Sequence, residues 1–234
     1  MNLSVTSVQV RYGARRAVDG VTWNLGRGIH ALLGPNGAGK SSLISAIATL
    51  KKPSAGTIRL GEYSGEQLRG HVGYLPQDNL GRSRMTVREH FAYMCWLRTI
   101  EGQAARQEIA RLLALTGLED RADARIASLS GGMRRRVGIG SACTGRPPLL
   151  LDEPSAGLDV EQRAALRGII RQAAGHGVVV ISTHILEDVI GLADTVAVMV
   201  EGALKYHGSW EDFAGQPEIE AVRRAYLEIA GGRG

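Results

Sequence analysis

A short glycine-rich stretch constrains the possible fold of this chain more than any other feature. It reads Gly34-Pro35-Asn36-Gly37-Ala38-Gly39-Lys40-Ser41, followed by Ser42, and fills every fixed position of the pattern G-x-x-x-x-G-K-[ST]. Glycines let successive backbone N–H groups point at phosphate oxygens, Lys40 adds a charge that reaches the terminal phosphates, and Ser41 is placed to ligate Mg²⁺. Apolar residues predict a buried strand over 28–33 and a helix over 42–50. Because this pattern requires a strand, a loop and a helix N-terminus, we predict a nucleotide site.

The composition predicts a soluble protein with a packed core. Of the 234 residues, 44% are hydrophobic, which is enough for one large domain or two modest ones. The longest apolar run, 189–200, is interrupted by Gly191 and Asp194, so no membrane span is expected. The amino terminus shows no cationic segment followed by an apolar one, and the two cysteines, Cys95 and Cys143, are not clustered with histidines. These features predict a cytoplasmic protein without a structural zinc site.

The net charge of +5 raises the question of a nucleic-acid partner. Only four of the 28 basic residues are lysine, and the arginines are spread along the chain, which indicates coding bias. The one tight basic cluster, 134–136, lies at the start of a predicted helix, beside a glycine pair. We interpret the cluster as part of this helix start rather than as a nucleic-acid-binding patch. A phosphate-binding patch is the less favoured alternative, and nucleic acid is an unlikely partner.

Hydrophobic periodicity predicts an α/β fold with an antiparallel β-region at the amino terminus. Alternating residues over 2–10 and 17–25 make the first 33 residues look like a small antiparallel region. Residues 86–145 are mostly helical in pattern, beginning with Thr86 as N-cap and Glu89 three residues later. We predict a single domain, 1–234, whose core and β-region comprise 1–85 and 146–234, with a helical subdomain inserted at about 86–145.

Two polar stretches each allow a functional and a structural interpretation. In 129–133, Ser130 caps a helix and two glycines leave its first N–H groups uncovered, so this end is either an anion site or an ordinary capped helix start. The buried strand 149–151 ends in Asp152 and Glu153, where one carboxylate can hold Mg²⁺ and the other can orient water. The structural alternative is that the two acids mark the N-terminus of a helix, where paired acids after a strand are common.

Two single residues are ambiguous in the same way. Tyr12 ends the first strand, and an aromatic ring upstream of a phosphate loop either stacks on adenine or packs as a half-buried residue. The strand 178–181 ends in Ser182-Thr183-His184. His184 is either structural or faces the ligand crevice at the carboxyl edge of a parallel sheet.

Together these stretches resemble the ATP-binding cassette (ABC) ATPases, and the resemblance covers nearly the whole chain. The glycine-rich stretch resembles the Walker A motif of that family, with a P-loop NTPase core as the implied fold. Tyr12 resembles the aromatic residue of the A-loop, Gln77 resembles the glutamine of the Q-loop, and 129–133 resembles the signature LSGG.

The second half of the chain continues the resemblance in the family order. Residues 149–152 look like Walker B, Glu153 like the catalytic glutamate, 155–159 like the D-loop and His184 like the switch histidine. Ser42 and Ser155 stand where threonine is commoner, and neither departure removes a catalytic group.

The resemblance implies a hydrolysing ATPase that uses ATP and Mg²⁺. In such proteins two domains face each other head to tail, and each ATP lies between one Walker A and the signature of the partner. The roles that follow are catalysis by Glu153, His184 and Gln77, metal binding by Ser41, Gln77 and Asp152, and nucleotide binding by Tyr12, 34–42, Ser130, Gly131, Gly132 and Asp159.

The resemblance also implies a biological setting. The chain looks like the nucleotide-binding subunit of a transporter, held on the cytoplasmic face of the membrane by a separately encoded permease, with a second copy as partner. The stretches 85–89 and 182–188 resemble bacterial multidrug and ABC-2-type exporters, and we expect permease contact around 77–94. The alternatives are a soluble ABC ATPase acting on nucleic acid or ribosomes and, less favoured, a P-loop kinase or GTPase.

Overall fold

The computed structural model describes residues 1–77, 83–175, 177–215 and 218–231. The expected permease contact around 77–94 therefore falls partly, at 78–82 and including Leu80, outside the described residues. Within the described ranges no helix is both long enough and apolar enough to cross a bilayer.

A six-stranded sheet forms the centre of the molecule. Its strands are β3 (Gly28–Leu33), β6 (Gly73–Leu75), β7 (Leu149–Asp152), β8 (Val178–Thr183), β9 (Thr195–Val200) and β10 (Ala203–Ser209). They lie in the order β10-β9-β3-β8-β7-β6, and all neighbours are parallel except β9 and β10, which form a hairpin. Central strands of such sheets are covered on both faces, which is why β7 and β8 are continuous apolar runs.

A second, antiparallel sheet has four strands in the order β2-β1-β4-β5. They are β1 (Leu3–Tyr12), β2 (Arg15–Leu25), β4 (Ala55–Leu60) and β5 (Tyr63–Ser64). The prediction that the first 33 residues form this region is wrong in one part, because β3 pairs with β8 and β9 in the larger sheet. Those partners lie far along the chain, so the local pattern of 28–33 does not reveal them. The two-residue strand β5 is too short to give a periodic signal.

Helices lie between and after the strands: α1 (Lys40–Ile47), α2 (Val87–Leu97), α3 (Gly102–Thr116), α4 (Gly131–Ala142), α5 (Val160–Ala174), α6 (Trp210–Ala214) and α7 (Ile219–Ala230). The predicted helical stretch is present, since α2, α3 and α4 all fall between β6 and β7. Thr86 and Glu89 form the expected reciprocal capping box at the start of α2. The division of the chain into a core and a subdomain stays a prediction.

The six-stranded sheet separates two hydrophobic clusters. Alternate residues of β3 point to opposite faces, so Ala31 and Leu33 join one cluster while Leu32 joins the other. The first cluster contains residues of α2 to α5, and the second contains residues of α1 and of the antiparallel sheet. β3 is therefore fixed from both sides, and the glycine-rich stretch that follows it begins at a rigid point.

Candidate functional site

A cleft of about 430 Å³ lies at the carboxyl end of the central strands. Strand β3 leads into the cleft through the glycine-rich stretch 34–41, called the phosphate loop below, while Glu153 follows β7 and His184 follows β8. The lining residues are Tyr12, Arg15, Ala17, Asn36, Gly37, Ala38, Gly39, Lys40, Ser41, Ser42, Gln77, Glu153 and His184. Parallel strands thus bring together groups that are far apart in the sequence.

The conformation of the phosphate loop depends on its glycines. Gly39 has φ 104°, and a Cβ atom there would lie 2.1 Å from the carbonyl oxygen of Ala17. At Gly34 a Cβ atom would lie 2.3 Å from the carbonyl oxygen of Met199. Gly39 is also the N-cap of α1 and offers no side chain to its first amides. Those N–H groups therefore remain available to an anion in the cleft.

Lys40 lies folded over the phosphate loop with its ammonium group buried. Its Nζ donates to the carbonyl oxygens of Gly34 at 2.7 Å and Pro35 at 3.2 Å, and lies 3.5 Å from Oε1 of Glu153. Burial lowers the pKa of Lys40, and the charges of Glu153 and Asp152 oppose this shift. The cation is thus held at the floor of the cleft by groups that phosphate oxygens can replace.

Two of the three residues predicted to bind Mg²⁺, Ser41 and Asp152, are in contact. Ser41 Oγ donates to Oδ1 of Asp152 at 3.1 Å, and the fully buried Ser182 donates to the same oxygen. A hydroxyl and a carboxylate are the hard oxygen ligands that Mg²⁺ takes in nucleotide sites, where phosphates and water complete the shell. In the described part of the chain no cluster of three or more His, Cys, Asp or Glu residues could hold a metal alone. The hydroxyl of Ser41 and the carboxylate of Asp152 are donors that fit Mg²⁺.

Glu153 and His184 form a pair at the mouth of the cleft. His184 Nδ1 lies 3.1 Å from Oε1 and 3.0 Å from Oε2 of Glu153. Glu153 is buried, whereas the His184 side chain is 45% exposed, so the imidazole separates the carboxylate from solvent. Glu153 also has φ 47°, an uncommon left-handed conformation for a residue other than glycine.

The residues predicted to form the second half of the nucleotide site lie elsewhere. Ser130 and Gly132, together with Asp159, line a different cavity of about 310 Å³. Ser130 Oγ accepts from the backbone N–H of Met133, and Asp159 Oδ1 accepts from that of Gln162, so each caps a helix. Within one chain these residues do not reach the cleft that holds Lys40, as expected if they serve the nucleotide of a partner.

Comparison with known proteins decides the family. A family model described as ABC transporter matches residues 18–156. The uncharacterized ABC transporter ATP-binding protein YxlF of Bacillus subtilis is 34% identical over 229 residues, covering 97% of this chain and 77% of the relative. This chain belongs to the ABC transporter family. It is an ATP-binding, ATP-hydrolysing cassette, and the predicted P-loop NTPase fold is confirmed.

Other relatives of the cassette differ in transport direction. The Nod factor export ATP-binding protein I of Burkholderia orbicola is 38% identical over 204 residues, 84% of this chain and 67% of the relative. The methionine import ATP-binding protein MetN of Rhizobium etli is 36% identical over 230 residues, 92% of this chain and 63% of the relative. A solved ATP-binding subunit of an ABC transporter superposes with a TM-score of 0.86 at 28% identity, covering 98% of this chain and 99% of that one. The similarity therefore does not distinguish an exporter from an importer.

Tyr12 and Gln77 both line the cleft of the cassette. Tyr12 is 49% exposed, and Lys51 Nζ lies 4.5 Å from the centre of its ring, so the side chain is half-buried. Gln77 is exposed, and its backbone carbonyl oxygen accepts a hydrogen bond from Arg135. Their roles toward adenine and toward the metal remain predictions.

Sequence reasoning missed the roles of three residues. Arg15 lines the cleft, Ser182 orients Asp152, and Arg135 is a buried member of the arginine cluster. All three arginines of that cluster donate to backbone carbonyl oxygens, so the structural interpretation describes them better than a phosphate patch. Ser182 could have been found from the sequence, because it is a polar residue near the end of the otherwise apolar strand β8. Nothing in the local sequence distinguishes Arg135 from Arg134 and Arg136.

Proposed function

We propose that the cassette hydrolyses MgATP with the groups assembled in the cleft and that it does so as the nucleotide-binding subunit of an exporter. The observation that carries the first part is the convergence of Lys40, Glu153 and His184 within hydrogen-bonding or ion-pairing distance at the mouth of the phosphate loop. A triphosphate seated on the open amides of α1 places its terminal phosphate beside this group.

Each residue in the cleft then has one task. Lys40 and the loop amides bind the β- and γ-phosphates, and Ser41 and Asp152 hold Mg²⁺, with Gln77 as a further ligand from the edge of the cleft. Bound Mg²⁺ neutralises charge on the phosphates. Glu153 accepts a proton from the attacking water, and His184 orients Glu153 and senses the γ-phosphate. Tyr12 stacks on adenine with the exposed face of its ring.

A second cassette completes the site. The signature residues Ser130, Gly131 and Gly132 form an uncovered helix start on a face away from the cleft. In a twofold dimer the same two surfaces meet twice, so each signature reaches the nucleotide of the partner. ATP then joins the two chains, and its hydrolysis lets them separate.

The membrane partner is proposed to dock on α2. One face of this helix packs in the core through Val87, Phe91 and Cys95. Three large apolar side chains on the helix are exposed instead, and the rings of Tyr93 and Trp96 stack with centres 6.0 Å apart. An exposed apolar helix face is suited to a cytoplasmic loop of a permease. The three are Tyr93, Trp96 and Leu97.

Hydrolysis by the purified chain tests the first part of the proposal. We expect Mg²⁺-dependent phosphate release from ATP that stops when Mg²⁺ is chelated and exceeds release from GTP at equal concentration. No release from either nucleotide, with or without the permease, would contradict it, and stimulation by RNA would favour the soluble alternative.

Crosslinking in native membranes tests the second part. Cys95 and Cys143 are buried, and burial raises the pKa of the Cys143 thiol to about 12, so an introduced surface cysteine reacts first. Arg84→Cys, next to α2, should trap an integral membrane protein, whereas the exposed control Glu220→Cys on α7 should not. Crosslinking from Glu220→Cys alone would contradict this docking surface. Uptake or efflux in inverted vesicles then decides the direction of transport.

A further inference from the structure

The guanidinium of Arg135 is buried beneath the catalytic cleft. Arg135 lies on α4, five positions after the N-cap Ser130, and is 2% exposed. A guanidinium carries five N–H donors, and here Arg135 makes five hydrogen bonds to backbone carbonyl oxygens. The acceptors are Pro76 and Gln77 after β6, Asp152 at the end of β7, and Glu153 and Pro154 after it.

These contacts fix both peptide groups of Glu153. Arg135 Nη2 donates to the Glu153 carbonyl oxygen at 2.6 Å. On the other side, the Glu153 N–H donates to the carbonyl oxygen and to Oγ of Ser182, each at 3.1 Å. With both peptide groups held, the left-handed φ of 47° is maintained and the direction of the side chain is set. That direction brings the carboxylate to His184 and Lys40.

The same guanidinium holds the residue at the opposite edge of the cleft. Arg135 Nη1 donates to the carbonyl oxygens of both Pro76 and Gln77 at 2.9 Å. One side chain therefore ties together the helix that begins with the signature, the segment containing Gln77 and the backbone of Glu153. A shift of α4 cannot leave Glu153 unaffected while these bonds persist.

We propose that Arg135 is a positioning residue for hydrolysis, which acts by holding the Glu153 backbone so that its carboxylate faces the terminal phosphate. This inference rests on the proposed role of Glu153. It predicts a loss of turnover when Arg135 is replaced, while affinity for ATP in the absence of Mg²⁺ is kept. Without the metal, ATP is bound by the loop amides and Lys40 and not through Gln77 or Asp152, the proposed metal ligands whose backbone Arg135 also holds.

Arg98 provides a matched control. It also donates to two backbone carbonyl oxygens, those of Gly70 at 3.1 Å and Val72 at 2.9 Å. These acceptors lie before β6, at the end of the strand away from the cleft, whereas the acceptors of Arg135 lie at the carboxyl ends of β6 and β7. Replacing either arginine leaves buried or partly buried carbonyl groups unpaired, so both variants should lose unfolding free energy.

The decisive measurement is a double-mutant cycle on steady-state ATP hydrolysis. Arg135→Gln should lower kcat about 10-fold or more while the dissociation constant for ATP measured without Mg²⁺ changes by less than about twofold, since small misplacements of a catalytic group have such effects. In the Glu153→Gln background the same replacement should change the residual rate by less than about twofold. Arg98→Gln should leave kcat close to the parent value in both backgrounds.

The outcomes are distinguishable. Equal fold losses from Arg135→Gln in the two backgrounds, or an equal loss from Arg98→Gln, would assign Arg135 a purely structural role and overturn the inference. Near-normal turnover of Glu153→Gln alone would instead remove the proposed role of Glu153. If Arg135→Gln does not fold, Arg135→Lys, which keeps the charge and three donors, enters the same cycle and should show an intermediate loss of kcat.

Discussion

Two helix starts in the cassette involve glycines of the predicted nucleotide site, and they differ in their caps and in the groups around them. The start of α1 has no side-chain cap and lies against Lys40, Asp152 and Glu153. The start of α4 is capped by Ser130, whose Oγ accepts from the N–H of Met133. The groups to which we assign the chemistry therefore lie at the first start, whereas the second offers backbone donors for an anion.

The glycines at the two starts differ in the same way. A Cβ atom at Gly39 would collide with backbone of the same chain, so the fold itself requires glycine there. A Cβ atom at Gly131 would meet nothing within 4 Å. The fold gives no steric reason for Gly131, whereas the proposed two-chain site would supply one through the close approach of the partner's nucleotide. Under the proposed function, the groups that act on the phosphates lie in one chain, and the second helix start serves the nucleotide of a partner.

The largest expected effect concerns the chemistry at α1. Glu153→Gln keeps the size of the side chain but removes its basicity, so turnover should fall about 10²-fold or more while ATP still binds. Size-exclusion chromatography with Mg²⁺ and ATP should then show an accumulated dimer. Asp152→Asn should weaken Mg²⁺-dependent nucleotide binding as well. A Glu153→Gln protein that is inactive but monomeric at saturating ATP would leave the two-chain site unsupported.

The next effect separates binding from chemistry. Lys40→Met keeps most of the apolar stem but removes the ammonium group, so ATP binding by the single chain should weaken by about 1.5–3 kcal/mol, as for loss of a charged hydrogen bond. Equilibrium titration with a fluorescent ATP analogue measures this difference. Unchanged affinity would show that Lys40 does not contact phosphate.

Tyr12→Ala should have a smaller effect on the same titration. Loss of stacking on adenine should weaken ATP binding by about 1–2 kcal/mol, with little change in melting temperature because half of the ring is already exposed. A lower melting temperature with unchanged affinity would favour the packing interpretation of this residue.

Gly131→Ala should have the smallest effect on a single chain. The added methyl group has free space, and alanine is the better helix former by up to about 1 kcal/mol, so stability and ATP binding by the monomer should be preserved. Dimer formation in the Glu153→Gln background should nevertheless weaken. If the dimer forms normally, the signature surface does not approach a nucleotide closely.

Local patterns predicted those parts of the structure whose cause is local. The predicted capping residues Thr86 and Ser130 act on their own helices. The strand, loop and helix around Lys40 were also predicted, because glycine spacing and apolar runs determine them together.

Features that depend on distant parts of the chain were not predicted. The pairing of β3 with β8 and β9 joins segments whose sequences carry no mutual signal. The same applies to Ser182 beside Asp152 and to Arg135, whose neighbours Arg134 and Arg136 look identical in sequence but donate to other carbonyl oxygens. Long-range hydrogen bonds determine the positions of these residues, and local hydrophobic periodicity does not predict such bonds.

The position of β3 has a consequence for biosynthesis. Its two neighbours in the sheet, β8 and β9, leave the ribosome long after the phosphate loop does, and Asp194, which accepts from the Ile29 N–H at 2.8 Å, lies between them. Domains fold as units during synthesis, so a nascent chain that ends before β9 has the loop sequence but not its support. Nucleotide binding should thus appear late in translation, only after β9 has left the ribosome. Nascent chains that end before β9 should have no affinity for ATP.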